Sequence, residues 1–527
     1  MELVYLWVED YKNIQKQGFN FSPRFRCEFK DEYDNGKLKD NCELIIDENK
    51  DYVSIFPDNI DITAIVGKNG SGKTSLLTLF VGGIFANKKN RKNIKNLFFV
   101  YEKDKEFVCY YFFEEEIQIT SKKQIINKEL YMNIDKSIFN DDFKNNYFLF
   151  MDFSIGQLDL WNSSTQEEYK KYYALEPSRN YFSAGPGYNS KIEPTSFAAN
   201  MKANILYLYK YLDEELINRW KLPKFKKLVY FGMRQMGTPT RDYYKNEIIG
   251  KEILGMNFTN AKTYEDVEKT IKDNFENKSE IDFKVIEKKD LNEISILFLF
   301  ANIEFKTEDG IDFFSMSTGQ KQLVSYFGII IRVIKELINS EKTLTLIIDE
   351  IETSLHPQWQ KEFISLFIEL IESIKTDCKN IQLIMAGHSP FIVSDLPKGN
   401  IIFLKNSKQV SGIEKKETFG ANIHTLLADS FFVEGGLMGE FAKDKIQSII
   451  KYHENIGKKE ISEAEKVEYK TKKQKEFWQI QSIIGDDYLK QVIKNHLIEI
   501  EKIVLGNDEA KKEEVKRLKA QIELLEK

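Results

Sequence analysis

The sequence predicts an α/β fold assembled around one phosphate-binding loop, interrupted by an inserted, mainly helical lobe and followed by a helical C-terminal region. Three observations carry that expectation. The stretch 62-ITAIVGKNGSGKTSLLTLF-80 reads as an apolar strand, a glycine-rich turn and a run with helical periodicity. A second apolar strand, Leu344 to Ile348, ends on the paired acids Asp349 and Glu350. A third lies in 381-IQLIMAGHSPFIVSDLP-397 and ends at His388. Sheets of this class bind ligands at the C-terminal edges of their strands.

Within the first stretch, Gly67, Gly72, Lys73 and Thr74 fill the pattern G-x-x-x-x-G-K-[ST]. Glycines let successive N–H groups curl round an anion, and the following helix adds its positive N-terminal end. The expected nucleotide contacts are Gly67, Asn69, Gly70, Ser71, Gly72, Lys73, Thr74 and Ser75, with ATP and Mg²⁺ as cofactors. Lys73 would reach the β/γ-phosphates, while the Thr74 hydroxyl and Asp349 would hold the metal. Glu350 is placed to orient or deprotonate an attacking water. An unrelated glycine turn is the plain alternative, and the strand-before, helix-after context argues against it. A lone histidine after a strand is usually structural. Following a phosphate loop and an Asp-Glu strand in this order, His388 reads as a γ-phosphate contact. Gln157, in FSIGQLDL, follows a strand and is open to two readings, a Mg²⁺ and γ-phosphate sensor or an ordinary loop glutamine.

The bulk numbers narrow the class. A chain of 527 residues with 42% hydrophobic and 13% aromatic residues can bury a large core, which argues against global disorder. With a net charge of −6, no overall basic field draws it to nucleic acid, so any DNA contact needs a local Lys/Arg patch. The four cysteines, Cys27, Cys42, Cys109 and Cys378, form no C-x-x-C pair, which fits a reducing compartment and not a zinc site. The N-terminus lacks the basic and apolar regions of a signal peptide, and no apolar run reaches ~20 residues, so a cytoplasmic protein is the expectation.

In chain order, 3–8, 53–56 and 62–66 read as strands, the first expected in the same sheet as the phosphate-loop strand. Residues 97–153 alternate like an antiparallel cover. Residues 160–280 turn polar, with helical runs at 196–220 and 263–275, and strands resume at 281–287 and 294–307. The stretch 315-SMSTGQKQLVSYFGIIIRVI-334 opens a helix with a Ser/Thr/Gly turn, again suited to an anion. The expected domains are 1–155 and 281–435 for the two parts of the head, 156–280 for the inserted lobe and 436–527 for the helical end.

Taken together, these motifs resemble an ABC-type ATPase head of the kind found in SMC, RecF and OLD-family proteins. Gly67–Thr74 matches the Walker A loop and 344-LTLIIDE-350 the Walker B strand with its catalytic glutamate. Ser317, Thr318, Gly319 and Gln320 resemble the signature, with Thr318 standing where the family has glycine. Glu352 to Pro357 resembles the D-loop region, and His388 the switch histidine. The resemblance implies that the signature of one copy closes on the nucleotide of another, giving an ATP-sandwich dimer or higher oligomer in which Ser317 and Gly319 act in trans. The N-terminal LVYLWVEDYKNI…GFNFSPRF and 418-TFGANIHTLLADSFFVEGGLMGEFAKDKI-446 are similar to ATPase subunits of Septu-type and retron-associated anti-phage defence systems. That likeness implies a separate HNH-type nuclease subunit as partner. It adds a retron reverse transcriptase with its msDNA where the system is retron-linked, and leaves DNA contact open. A capping segment that closes the head is the alternative for 418–446.

Two other functions compete: a stand-alone SMC/RecF-like DNA-binding repair ATPase, and an OLD-like ATPase with its own TOPRIM nuclease. The second has a start in 431-FFVEGG-436, but 440–527 holds no strand-like run to supply further carboxylates, and Asp486-Asp487 reads as a helix start. The five histidines carry no neighbouring cysteines, which argues against an HNH site in this chain. Val515, Leu518, Ile522 and Leu525 repeat at 3-4-3 spacing, a short coiled-coil seam open to docking on its own domain or on a partner.

Overall fold

The computed structural model describes residues 2–85, 94–113, 117–129, 146–152, 174–175, 181–182, 204–233, 245, 248–277, 280–282, 294, 297–298, 300–312, 315–337, 343–353, 355–376, 378–410, 417–429, 438–458 and 461–525. Gln157 and 431-FFVEGG-436 lie outside the described residues. By packing, the chain divides into two units, Met1–Phe432 and Val433–Lys527.

In the first unit, five parallel strands form the middle of an eight-stranded sheet. Their spatial order is Asn146–Asp152, Thr343–Asp349, Asn380–Gly387, Ile60–Gly67 and Ile401–Lys405. These are near-continuous apolar runs, as strands covered on both faces require. Register aligns their ends: Asp152 lies opposite Asp349, Ile348 opposite Met385, Gly387 opposite Val66, and Leu404 opposite Gly67. The loops after Gly67, Asp349 and Gly387 therefore leave from one edge. The architecture is an α/β one, with a phosphate-loop strand and helix in a mainly parallel sheet and a helical C-terminal region.

Side chains alternate between two cores. Ile62, Ala64 and Val66 join Leu344, Leu346, Leu383 and the helices Thr318–Leu337 and Pro357–Ser373 on one face. Ile65, Ile347, Ile384 and Ile402 join Leu76, Leu77 and Leu79 of the phosphate-loop helix Lys73–Phe85 on the other. Over that helix lies a five-stranded sheet contributing Leu3, Leu6, Val8, Leu97 and Phe99. Held between two sheets, the helix has a fixed start. Truncating Leu76 to Ala would cost ~2–5 kcal/mol.

Several expectations change. The strand Glu2–Tyr11 pairs antiparallel with Ile14–Asn20 and Lys95–Lys103, and does not join the phosphate-loop sheet. A strand buried on both faces reads alike in a parallel sheet and between two layers. Its link to the parallel sheet is a clasp, in which Leu3 N–H donates to Gln382 Oε1 at 3.1 Å and Gln382 Nε2 donates to the Leu3 carbonyl at 3.2 Å. Asn146–Asp152 leaves the antiparallel cover and pairs parallel with Thr343–Asp349. Within 294–307 the strand is only Ala301–Lys306, because Ile294, Leu297 and Phe298 are helical and buried at 3–4 spacing. The described part of the expected helical lobe mixes elements. Helices at 204–211, Glu214–Arg219 and Tyr264–Asn277 alternate with the strand Lys227–Met233 and the short pair Glu252–Ile253 and Met256–Asn257. Lys227–Met233 pairs with Ala301–Lys306, and Trp220 packs on Phe327 with ring centroids 4.8 Å apart, so this segment shares the head's core.

In the second unit, taken alone, every described secondary-structure element is a helix. Its helices include Glu440–Ile456, Gln474–Ser482, Asp487–Leu505 and Asn507–Leu525, over a core of Ile449, Tyr469, Phe477, Ile493, Leu497 and Ile500. Asp486 caps the third of these, accepting from Leu489 N–H at 2.7 Å, which is the helix-start role expected of it. The fold also pairs two histidines distant in sequence, His453 and His496, whose Nδ1 atoms lie 2.7 Å apart. Burial, then His496, holds His453 below its ordinary pKa. Among the described residues no helix is long and apolar enough to cross a membrane, and no group of three His, Cys, Asp or Glu could hold a metal ion.

Candidate functional site

The phosphate loop begins where strand Ile60–Gly67 ends. Gly70 and Gly72 adopt φ of +76° and +102°, a region that favours residues without a Cβ. A Cβ on Gly67 would collide with the Leu404 carbonyl and Ser71, and one on Gly72 would sit 3.1 Å from Ser407 Oγ. The loop is pinned from the neighbouring hairpin, where Ser407 N–H donates to the Ser71 carbonyl at 2.9 Å. Gly72 accepts from Leu76 N–H at 2.8 Å, so the helix starts on a glycine that has no side chain to cap it. The N–H groups of Lys73, Thr74 and Ser75 precede the first i→i−4 bond of the helix, and Ser71 Oγ is buried without a hydrogen-bond partner among the described residues. A phosphate fits this cradle: it would meet first-turn N–H donors, a hydroxyl and the Lys73 ammonium.

Lys73 is only 5% exposed. Its Nζ lies 3.2 Å from the Gly67 carbonyl and 2.6 Å from His388 Nε2. Burial holds the ammonium below its ordinary pKa, opposed by Glu350, Asp349 and Glu352. His388 is pushed down to about 4, first by burial and then by the Lys73 charge. A neutral imidazole accepting from Lys73 at Nε2 carries its proton on Nδ1.

Asp349 ends its strand fully buried. Glu350 follows with φ +53°, a left-handed conformation that turns the chain sharply, and its carbonyl accepts from Thr353 N–H at 3.0 Å. Its Oε1 lies 3.9 Å from His388 Nε2. Lys73, Glu350 and His388, from three separate strand ends, therefore meet around one point. Thr74 is exposed in the first turn of the helix, a hydroxyl suited with the Asp349 carboxylate to a hard cation.

The structure adds two residues that the sequence reading did not single out in this role. Glu352 Oε1 accepts from His388 N–H, and burial pushes its carboxyl up to about 7 against that hydrogen bond. Gln360 donates Nε2 to the Leu355 carbonyl at 2.9 Å and accepts from Ser389 Oγ at 2.9 Å. Together they tie the loop carrying Glu350 to the loop carrying His388. The acid pattern Asp-Glu-x-Glu was a signal for Glu352. Gln360 had none, because its partner Ser389 lies 29 residues away. In the D-loop-like segment, His356 caps helix Pro357–Ser373 by accepting from Gln358 N–H at Nδ1, 3.2 Å.

The signature-like residues stand elsewhere. Ser317 caps helix Thr318–Leu337, its Oγ accepting from Gln320 N–H at 3.2 Å while Gln320 Oε1 accepts from Ser317 N–H at 3.0 Å. Gln320 Nε2 also donates to the Lys221 carbonyl at 2.7 Å. Gly319 is buried in the first turn. A groove of about 460 Å³ beside this helix end is lined by Lys221, Lys224, Lys226, Asp309, Met316 and Gln320 among others. The hydrogen bonds seen at Ser317 and Gln320 run between these two residues and to Lys221.

The chain is similar to known proteins in part of its length. Over 177 residues the chain is 28% identical to the Septu protein PtuA of Bacillus mycoides, a stretch covering 33% of this chain and 22% of that protein. It is 26% identical over 182 residues to the Retron Vc95 probable ATPase of Vibrio cholerae, covering 33% of each. The chain thus spans between about a fifth and a third of the length of these relatives. Among solved structures, the SMC head domain from Thermotoga maritima aligns at 11% identity and TM-score 0.27 over 75% of this chain and 91% of that one. The recombination mediator RecF-ATPrS aligns at 10% identity and TM-score 0.32 over 77% and 97%. The model of the AAA ATPase domain matches residues 36–393, a span that includes the phosphate loop, Ser317–Gln320, Asp349-Glu350 and His388. The chain belongs to the AAA ATPase domain family.

Proposed function

We propose that this chain binds and hydrolyses ATP as the nucleotide-driven subunit of an anti-phage defence complex. In this reading two copies close around shared sites and control a separate nuclease of the HNH type. The observation that carries the catalytic part is the convergence of Lys73, Glu350 and His388, with Nζ 2.6 Å and Oε1 3.9 Å from the same His388 Nε2. The defence setting is supported by the similarity to the Septu and retron proteins. ATP with Mg²⁺ supplies an activated phosphoryl group whose charge the metal partly neutralises. The chain supplies the rest. Gly70, Ser71 and Gly72 shape the cradle, Lys73 holds the phosphates, and Thr74 with Asp349 holds the cation. Glu350 orients a water and takes its proton, and neutral His388 presents Nε2 as a hydrogen-bond acceptor at the same point. Ser317, Thr318, Gly319 and Gln320 serve the site of a second copy.

The decisive experiment is Glu350→Gln in the full chain. Hydrolysis falls at least ~10²-fold while ATP affinity stays within about twofold of wild type. Unchanged turnover would remove Glu350 from catalysis.

A further inference from the structure

The last helix of the chain, Asn507–Leu525, has two faces of opposite character. One is docked. Ala510 is buried, and Arg517 places its guanidinium 3.9 Å from the Trp478 ring centroid and forks onto the buried Glu501, with bonds of 2.8 and 2.5 Å. The other face carries Val515, Leu518 and Ile522, which are 51%, 46% and 54% exposed. Leu525 holds the next position of the same register. Of the two readings of this seam, docking on its own domain is not met at Val515, Leu518 and Ile522, because the docked side is the Ala510–Arg517 side.

We propose that this face is the docking surface for the same helix of a second copy of this chain, forming a parallel, in-register pair. Two independent features select that occupant. Written as a heptad, Val515 and Ile522 take position a, and Leu518 and Leu525 take position d. β-Branched residues at a with leucine at d favour two-stranded parallel coils over higher orders. The flanks select orientation. Glu514 lies at g and Lys519 at e, so a parallel pair sets each Glu514 against the partner's e position, which is again a lysine. An antiparallel pair would instead set the two copies of Lys519 against one another at its centre, a repulsion that the parallel pair avoids. The seam is about two heptads, so pairing by itself is weak and gains when another contact holds two copies together. It does not depend on the ATP-sandwich reading.

Cysteine linking in the full chain tests this, since the native cysteines Cys27, Cys42, Cys109 and Cys378 are all buried. Under mild oxidation Leu518→Cys, at a d position facing its own copy, forms a disulfide-linked dimer at least ~10-fold faster than Lys516→Cys on the outer flank. In the Leu518→Cys background, Glu514→Lys or Lys519→Glu alone slows linking roughly fivefold, and mixing the two chains restores it, because each flank then meets its opposite charge. The series is repeated with Lys73→Ala, which removes nucleotide-driven pairing without touching the helix. Absent linking with and without ATP overturns the proposal. So does equal linking at position 516, and so does a mixture that links no faster than its components. Loss of linking only with Lys73→Ala would instead make the seam a follower of head closure and overturn its independence.

Discussion

The helices Lys73–Phe85 and Thr318–Leu337 both begin at glycine-containing turns, and both read from sequence as places for an anion. Their starts are finished in opposite ways. The first begins on Gly72, which offers no side chain, so its first-turn donors await something from outside the chain. The second is closed by the reciprocal bonds of Ser317 and Gln320. The Ser317 hydroxyl has given its acceptor side to Gln320 N–H and keeps its own proton to donate. On the proposed reading, the difference would separate a site that grips a phosphate from one that touches it.

That contrast can be broken from either end. Lys73→Ala should have the largest effect, lowering ATP affinity at least ~10²-fold, read with a fluorescent nucleotide. Retained affinity would show that backbone donors alone suffice. Next comes complementation. A Ser317→Arg chain and a Lys73→Ala chain, each without turnover, should regain a substantial fraction of wild-type ATPase when mixed, and no rescue would mean that each copy works alone. Glu352→Ala should lower kcat about tenfold with little change in ATP affinity, whereas Glu352→Gln keeps an acceptor for His388 N–H and most of the rate. Glu352 also has a pH signature. Its folded pKa of about 7 lies above the unfolded value of 4.5, so its contribution is complete below 4.5 and is lost as pH rises through about 7. Glu352→Gln should then gain stability relative to wild type as pH rises from about 4.5 to about 7 and hold a gain of roughly 1–3 kcal/mol above that, seen as melting curves that separate across this window. The smallest effect is Ser317→Ala, about 1 kcal/mol of stability from the lost cap.

How much of this was legible follows from where the information sits. The Gly67–Ser75 loop and the Asp349-Glu350 strand end are local, since strand, turn and helix occur within one stretch, and the structure places them as read. The identity of neighbouring strands was not local. Glu2–Tyr11 and Asn146–Asp152 were given the wrong sheets, because burial on both faces erases the alternation that would separate an inner parallel strand from a sandwiched antiparallel one. The strand Lys227–Met233 was hidden because its partner Ala301–Lys306 lies beyond the intervening segment. Within the site, His388 was readable from its order after the acids. The clasp through Gln360 was not, because a glutamine's hydrogen bonds leave no periodicity.

The 2.6 Å contact between Lys73 Nζ and His388 Nε2 has a consequence for affinity itself. The ammonium already has the imidazole and the Gly67 carbonyl as partners inside the chain. A phosphate arriving in the loop therefore competes with an internal ligand, and the measured binding free energy is a difference between two sets of bonds. Nucleotide arrival and the release of the imidazole become one exchange.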